Sequence, residues 1–233
     1  MVASAADLDW AAVASAIERD GFALTPPILS SDDCAGLVRL YDDDGHFRRR
    51  IVMEQHAFGL GSYGYFAEPL PPIVTSLRRQ FYAGLSPVAN QAMERMRSDV
   101  CYPPDLDVYL AECAKAGQTK PTPLLLRYEA GGYNRLHRDL YGDLAFPYQA
   151  VAMLSRPGVD FTGGQFLLVE NRPRQQAIGS AVDIPPGCFL IFSTNERPVM
   201  GSRGYLKASM RHGVSKVHSG ERYTLGIIFH NAA

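Results

Sequence analysis

From Thr122 onward the sequence consists of short apolar runs separated by clusters of Gly, Pro and Asn. Short runs bounded by turn-forming residues are typical of β-strands. We predict eight strands, over residues 123–129, 133–138, 147–154, 165–170, 179–184, 188–193, 206–214 and 222–229. Eight short strands in succession favour a double-stranded β-helix, or jelly roll, in which two antiparallel sheets pack against each other.

The first hundred or so residues differ, because their apolar side chains recur at helical spacing. Capping residues and this spacing predict five helices, located at Asp7 or Asp9 (ending near Gly21), Ser31 with Asp33, Pro71-Pro72, Ser86-Pro87 and Leu106–Ala116. The predicted fold class is therefore α+β. We expect one domain over residues 1–233, in which a helical support region (1–118) buttresses the jelly-roll core (119–233).

The composition, with 46% hydrophobic and 20% charged residues, is that of a globular protein. A net charge of −1 argues against a strongly basic nucleic-acid-binding protein. The distribution is uneven, because residues 156–216 contain eight basic and four acidic residues, which leaves +4. This segment permits an anionic substrate. Its candidate phosphate-binding residues are Arg172, Arg174, Arg197 and Arg203.

The four cysteines have no zinc-like spacing and no dense framework, so we expect them to be reduced. No basic segment followed by an apolar run marks a signal peptide, and no apolar run approaches the length of a membrane span. We therefore expect a cytoplasmic protein without a membrane partner. No obligate protein partner is evident from the sequence.

One short motif in the predicted strands has the residue types that bind metal. In His137-Arg138-Asp139 the side chains of an extended strand alternate, so His137 and Asp139 share a face and Arg138 points away. A further imidazole would complete a 2-His-1-carboxylate facial triad, which binds non-haem Fe(II) and leaves coordination positions open. His212 and His218 are the candidates for this third ligand.

A second motif follows His212 by ten residues, where Arg222 and Thr224 share one face of a predicted strand. Their guanidinium and hydroxyl groups are suited to holding a carboxylate. His137-x-Asp139, followed by His212 and Arg222-x-Thr224 at this offset, resembles the signature of the Fe(II)/2-oxoglutarate-dependent dioxygenases.

Further segments carry the same resemblance over about residues 122–231. Arg127–Gly131 resembles the strand that leads into the metal ligands in prolyl hydroxylases of this superfamily, and Gly163-Gly164 resembles the strand that follows them. The resemblance selects His212 over His218, which lies beside a turn signal. Within the superfamily, the chain resembles a bacterial subfamily labelled as acting on damaged DNA.

The resemblance implies a set of site residues and a reaction. The implied residues are catalytic and metal-binding His137, Asp139 and His212, and 2-oxoglutarate-binding Arg222, Thr224 and Tyr128. Fe(II), the co-substrate 2-oxoglutarate and O2 are the implied cofactors, with ascorbate as a stimulant. In the implied reaction 2-oxoglutarate becomes succinate and carbon dioxide while a substrate C–H bond is hydroxylated, and a hydroxylated N-methyl group leaves as formaldehyde.

The substrate stays open between several classes. The damaged-DNA subfamily implies DNA repair by oxidative demethylation of alkylated DNA or RNA, which is the preferred interpretation. A prolyl or protein side-chain hydroxylase is the alternative, because the strand before the metal ligands resembles that of prolyl hydroxylases. In addition, Ile228 stands where DNA demethylases resembling AlkB carry a second arginine, which argues against DNA repair. A small-molecule hydroxylase ranks third, and a non-catalytic jelly-roll binding protein ranks last.

Several other residues are candidates for lesser roles. Tyr63 and Tyr65 fit either a mobile aromatic flap over the substrate or ordinary packing. The long polar segment between Phe192 and Lys207 is predicted to be a loop that overhangs the site. Structural or exposed positions are expected for His46, His56 and His230.

Overall fold

The computed structural model describes residues 2–139 and 142–233 of the chain. Within them lie four α-helices, namely α1 (Trp10–Asp20), α2 (Ser31–Leu40), α3 (Pro72–Arg95) and α4 (Leu106–Lys115). The Asp9 side chain caps α1, which ends at Gly21 with φ of 83°. A capping box formed by Ser30 and Asp33 begins α2. Four of the five predicted helices are thus confirmed, with their starts close to the expected residues.

The helix predicted to begin at Ser86-Pro87 is wrong as a separate element, because α3 continues through Pro87 without a break. Proline removes the amide that would bond to the carbonyl four residues earlier, on Ala83. Both Ala83 and Pro87 are exposed, so that carbonyl lies on the solvent side of the helix. On the opposite side Leu85 and Ala89 are fully buried and hold the helix against the sheet.

Fifteen strands lie in the described residues. They are β1 (Phe22–Leu24), β2 (Phe47–Val52), β3 (Gly59–Leu60), β4 (Ser62–Phe66), β5 (Leu124–Tyr128), β6 (Tyr133–His137), β7 (Tyr148–Met153), β8 (Phe161–Gly163), β9 (Phe166–Asn171), β10 (Ile178–Val182), β11 (Phe189–Ser193), β12 (Glu196–Gly201), β13 (Gly204–Val214), β14 (Val217–Gly220) and β15 (Arg222–Ile227). All eight predicted strands are among them.

The strands form the two antiparallel sheets of a jelly roll, as predicted. The major sheet has the order β1-β11-β7-β15-β5-β4-β2, and the minor sheet has the order β10-β9-β13-β6-β3 with β12 paired to β13. Strands β14 and β8 form a separate two-stranded ribbon. The central position of β13 matters for the site, because it pairs with β6 and places His212 directly opposite His137.

The structure differs from the sequence prediction in two regions, residues 1–118 and residues 192–207. Residues 1–118 are not purely helical, because β1 and β2 form the edges of the major sheet and β4 lies inside it. The segment 192–207 is not a loop over the site, because β12 pairs with β13 from Glu196 to Gly201. Strands β2 and β12 lie at sheet edges and carry charged residues beside their apolar ones, so they lack the apolar pattern of an inner strand.

The two largest apolar cores of the described residues lie on either side of the major sheet. Helix α3 packs on its outer face, where the rings of Phe81 and Phe189 lie 4.7 Å apart. The second core lies between the two sheets and contains Tyr128, Phe166 and Phe192. Strand β7 is buried along its whole length because it is covered on both faces. No helix among residues 2–139 and 142–233 is long and apolar enough to cross a membrane.

Candidate active site

Three side chains of types that can bind a metal lie close together beside the second core. One ligand atom from each of His137, Asp139 and His212 lies within 4.8 Å of the others. The Asp139 carboxylate lies between the two imidazoles, with Oδ1 at 3.4 Å from Nε2 of His137 and Oδ2 at 3.3 Å from Nε2 of His212. We call these three residues the ligand cluster. Its donor set is the one that binds non-haem Fe(II) in facial-triad sites.

The ionisation of the ligand cluster suits metal binding. Burial opposes the charge on Asp139, but hydrogen bonds from both histidines outweigh it and hold its pKa well below the usual value. Burial also opposes the charge on His137, whose pKa is nevertheless raised by Asp139. For His212 burial dominates and lowers the pKa. A metal requires the ionised carboxylate that Asp139 provides, and it displaces protons from the imidazoles.

The two imidazoles are oriented in different ways. Nδ1 of His137 lies 2.7 Å from the backbone carbonyl of Arg135, to which it donates its proton, leaving Nε2 free to act as a ligand. Nδ1 of His212 has no hydrogen-bond partner among the described residues. Its ring is held by packing instead, parallel to Phe166 at 5.8 Å and beside Phe192 at 4.8 Å.

Gln149 is a polar contact of the cluster that the sequence interpretation missed. Its Nε2 donates a hydrogen bond of 3.0 Å to Oδ2 of Asp139. The residue lies in β7, whose other side chains are Tyr, Ala, Val and Met. A lone amide in an otherwise apolar buried strand was the available signal, since a buried polar group needs a partner. Gln149 therefore fixes the orientation of the carboxylate.

Arg222 lines the same cavity as the ligand cluster and is only 1% exposed. Its Nε and Nη2 have no hydrogen-bond partner among the described residues. Burial lowers its pKa to about 10, an effect that Tyr128 partly offsets. The guanidinium lies 5.5 Å from the centroid of the Tyr128 ring. A buried guanidinium without an anion is costly, so this geometry calls for an anionic ligand.

Thr224 and Tyr128 lie beside Arg222 on the cavity wall, and both are buried. Burial raises the pKa of Tyr128 to about 12, against the lowering effect of Arg222. Its hydroxyl has no partner of normal hydrogen-bond geometry in the described chain, although Asn134 approaches it. We call Arg222, Thr224 and Tyr128 the arginine subsite. Together they offer a cation and two hydroxyls to one ligand.

The Gly163-Gly164 pair supports the arginine subsite. A Cβ at Gly164 would lie 2.9 Å from Cδ of Arg222, and its φ of 64° is strained for other residues. A Cβ at Gly163 would lie 2.4 Å from the backbone carbonyl of Lys216. Glycine is required here because the backbone passes close to the arginine side chain.

Residues of both the ligand cluster and the arginine subsite line one cavity of about 440 Å³. This volume lies within the range of small-molecule sites. Apolar side chains form much of its wall, including Leu126, Val214 and Ile228, and Tyr63 also lines it. Among the described residues that line the cavity, Asp139 is the sole acidic one.

The remaining sequence candidates lie outside this cavity. His218 is exposed on β14, and His46 is partly exposed at the start of β2. The ring of His56 stacks on Phe58 at 5.3 Å. His230 is buried, and its Nδ1 accepts a hydrogen bond of 3.1 Å from the amide of Phe146. Tyr65 packs edge-on against Tyr63. These positions fit the structural or exposed roles expected for the three histidines.

The predicted phosphate-binding role of Arg197 is wrong. Arg197 is 3% exposed, and its Nε donates to Glu170 at 2.6 Å. Its Nη1 donates to the carbonyls of Ile17 and Glu18 in the last turn of α1, where a cation is favoured. Arg172 also pairs with Glu170. This part of the basic segment therefore pins α1 to the minor sheet.

Comparison with known proteins identifies relatives of the chain. Residues 61–232 match Oxygenase-NA, a family described as an oxygenase catalysing oxidative methylation of damaged DNA. Two uncharacterized proteins of Mycobacterium tuberculosis, from strains CDC 1551 and H37Rv, are each 43% identical over 191 residues. Each alignment covers 80% of this chain and 82% of the relative.

Solved structures with the same fold are more distant in sequence. A 2OG-Fe(II) oxygenase-family oxidoreductase from Burkholderia pseudomallei has a TM-score of 0.56 and 14% identity, covering 97% of this chain and 94% of that one. A prolyl-4-hydroxylase from Pseudomonas putida has a TM-score of 0.54 and 14% identity, covering 96% of this chain and 100% of that one. At such identities the likeness establishes the shared fold.

Proposed function

Because the chain belongs to the Oxygenase-NA family of oxygenases, we propose that it is an Fe(II)- and 2-oxoglutarate-dependent dioxygenase acting on alkylated nucleic acid. The observation that carries the cofactor assignment is the position of Arg222. This buried guanidinium, without an acidic partner in the described chain, lines the same cavity as a facial-triad donor set. An anion that also chelates a metal fits both features.

The roles of the side chains follow from this arrangement. His137, Asp139 and His212 would hold Fe(II) and leave coordination positions open. The arginine subsite would hold the distal carboxylate of 2-oxoglutarate through the guanidinium of Arg222 and the hydroxyls of Thr224 and Tyr128. When bound, iron and 2-oxoglutarate supply the oxidising power of O2 for attack on a C–H bond, and 2-oxoglutarate ends as succinate and carbon dioxide.

The chain itself contributes orientation and exclusion of water. Gln149 and the Arg135 carbonyl fix the carboxylate and one imidazole of the ligand cluster. Apolar side chains around the cluster, such as Phe166 and Phe192, limit the access of water. A substrate methyl group must therefore enter through the open side of the cavity.

The family description supports nucleic acid as the substrate class. An oxygenase that hydroxylates an N-methyl group releases it as formaldehyde, so the proposed net reaction is demethylation. The target base would have to leave the base stack to enter the cavity. Peptide hydroxylation is the competing possibility. Ile228 contributes an apolar side chain to the cavity wall at the position where a second arginine would serve DNA demethylation, and this counts in favour of a peptide.

The decisive assay measures succinate production by the iron-loaded protein with N-methylated single-stranded oligonucleotides and with proline-containing peptides. We expect succinate and formaldehyde in equal amounts with the methylated oligonucleotide only. Succinate formation coupled to the peptide would move the substrate to the protein class. If the protein consumes no 2-oxoglutarate, whether or not a substrate is present, the proposed chemistry itself is contradicted.

A further inference from the structure

The rim of the cavity contains one exposed aromatic and two exposed arginine side chains. Phe58, Arg135 and Arg138 all line the cavity and are exposed, which places them at its opening. The Arg135 amide donates a hydrogen bond of 2.9 Å to the Phe58 carbonyl, so these two residues are neighbours across adjacent chain segments. We call these three residues the rim.

The charges inside the cavity balance without the rim. Fe(II) and Arg222 would bring three positive charges, and Asp139 with the two carboxylates of 2-oxoglutarate would bring three negative ones. Arg135 and Arg138 remain as two uncompensated cations. Neither forms an ion pair with a described residue, and Arg138 donates a hydrogen bond of 3.3 Å to the neutral side chain of Asn195. The loaded enzyme would therefore attract an anionic substrate to its opening.

Phe58 adds an apolar surface beside this charge. Its side chain is 47% exposed, which is high for a phenylalanine. The ring of His56 stacks on it at 5.3 Å with an interplanar angle of 24°, which holds the phenyl ring in place. Leu136, at 39% exposure, extends the apolar surface along the cavity.

We propose that the rim binds single-stranded nucleic acid, with Phe58 stacking on a base next to the target base and with Arg135 and Arg138 contacting the adjoining phosphates. This inference rests on the proposed function and assigns residues to its substrate. Aromatic stacking next to phosphate-binding cations is the mode by which proteins hold single strands. An acidic peptide would satisfy both arginines but would leave the exposed phenyl ring without a stacking partner.

The test measures binding of a fluorescent single-stranded oligonucleotide with one N-methylated base to the full chain loaded with Mn(II) and 2-oxoglutarate. In the double variant Arg135→Gln/Arg138→Gln we expect affinity to fall roughly tenfold or more, from the loss of two charge-assisted contacts. The slope of log K against log salt should become shallower by about 1.4, or about 0.7 for each phosphate contact. Phe58→Leu should weaken binding about fivefold or more without changing that slope.

Arg39→Gln/Lys115→Gln is the matched control, because both residues are exposed near the ends of α2 and α4 and do not line the cavity. It removes as many positive charges as the double rim variant and should leave both affinity and slope unchanged. Equal effects of this control and of the double rim variant would overturn the inference, since binding would then depend on overall charge alone. Unchanged affinity in the double variant would overturn it as well.

The affinity for 2-oxoglutarate separates this inference from the proposed function. Every rim variant should bind 2-oxoglutarate in the presence of Mn(II) as wild type does. Wild-type protein that binds 2-oxoglutarate but no oligonucleotide, or that prefers an acidic peptide, overturns the rim assignment and leaves the dioxygenase chemistry intact. Wild-type protein that binds no 2-oxoglutarate contradicts the proposed function as well.

Discussion

In the ligand cluster the charged groups are partners of one another, whereas in the arginine subsite the cation has no acidic partner among the described residues. Asp139 accepts hydrogen bonds from both histidines and from Gln149. Arg222, which is more deeply buried at 1% exposure, has two guanidinium nitrogens without acceptors among the described residues. On the proposed function, the cluster is held together before a metal binds, whereas the subsite is completed by 2-oxoglutarate. The ligand cluster is preorganised, whereas the buried charge of Arg222 destabilises the ligand-free protein. Mutations in the two groups are therefore expected to have different effects.

The largest effect is expected from Asp139→Ala. This change removes the acceptor that both histidines share and the sole anionic ligand, leaving two imidazoles that bind iron weakly. We expect turnover to be abolished and metal affinity to collapse in a calorimetric titration with Mn(II). His218→Ala is the control, because this exposed histidine lies outside the cavity, and it should keep wild-type values. Undiminished iron affinity in Asp139→Ala would refute the metal site.

Arg222→Ala should have the next largest effect, and it should weaken the binding of 2-oxoglutarate and not that of the metal. Loss of one partner of a buried charge pair typically costs about 2–5 kcal/mol, so the 2-oxoglutarate requirement should rise more than tenfold. Mn(II) affinity should stay unchanged, because the ligand cluster does not depend on Arg222. If Arg222→Ala needs no more 2-oxoglutarate than the wild-type protein, the distal carboxylate binds elsewhere. The other side chains of the subsite would then be tested.

The stability of the ligand-free protein sharpens the same contrast. Burial lowers the pKa of Arg222 to about 10, so the charged form destabilises the folded state at neutral pH, and this cost is lost only as the pH rises above about 10. Arg222→Met keeps much of the volume and removes the charge. We expect its free energy of unfolding, measured in urea, to equal or exceed the wild-type value. A decrease of more than roughly 1 kcal/mol, the scale of one hydrogen bond, would contradict an unpaired arginine.

Gln149→Leu tests the preorganisation of the ligand cluster. Loss of a hydrogen-bonding partner of a metal ligand typically lowers metal affinity by about 10–100-fold. We expect that decrease for Mn(II), with 2-oxoglutarate affinity at saturating metal close to wild type. Leucine fills a similar volume in the buried strand, so thermal stability should be kept. Unchanged metal affinity in a folded variant would mean that the amide has no positioning role.

Thr224→Ala should give the smallest effect. One hydrogen bond from a hydroxyl contributes on the order of 1 kcal/mol, so the 2-oxoglutarate requirement should rise about fivefold. Thr224→Ser keeps the hydroxyl and should restore most of the affinity, which separates hydrogen bonding from packing. An effect of Thr224→Ala as large as that of Arg222→Ala would show that the cation is not the dominant contact.

The sequence predicts those parts of the molecule that depend on local periodicity. The eight predicted strands follow from short apolar runs bounded by turn-forming residues. His137 and Asp139 do lie together, but β6 ends at His137, and Arg138 lines the same cavity, so the prediction that Arg138 points away is wrong. The convergence of His212 with them depends on pairing between β13 and β6, which are distant in sequence. Only the resemblance to a known family, and not the local pattern, could select His212 in advance.

The features that were missed depend on contacts between distant residues. Arg197 reads as a surface residue, yet Glu170 and the end of α1 bury it. The continuation of α3 through Pro87 depends on which side of the helix faces solvent, and that side is set by packing. Likewise, the hydrogen bond from Gln149 to Asp139 becomes visible only when β7 is placed beside the ligand cluster.

The most direct test of the central claim is calorimetric titration of 2-oxoglutarate into the full chain under anaerobic conditions, with and without Fe(II). One cavity that holds both groups predicts binding of one 2-oxoglutarate per chain, strongly enhanced by Fe(II). In Asp139→Ala this enhancement should be lost, and in Arg222→Ala binding should be greatly weakened. Binding that is equally tight without metal, or that survives both substitutions, would contradict a shared site.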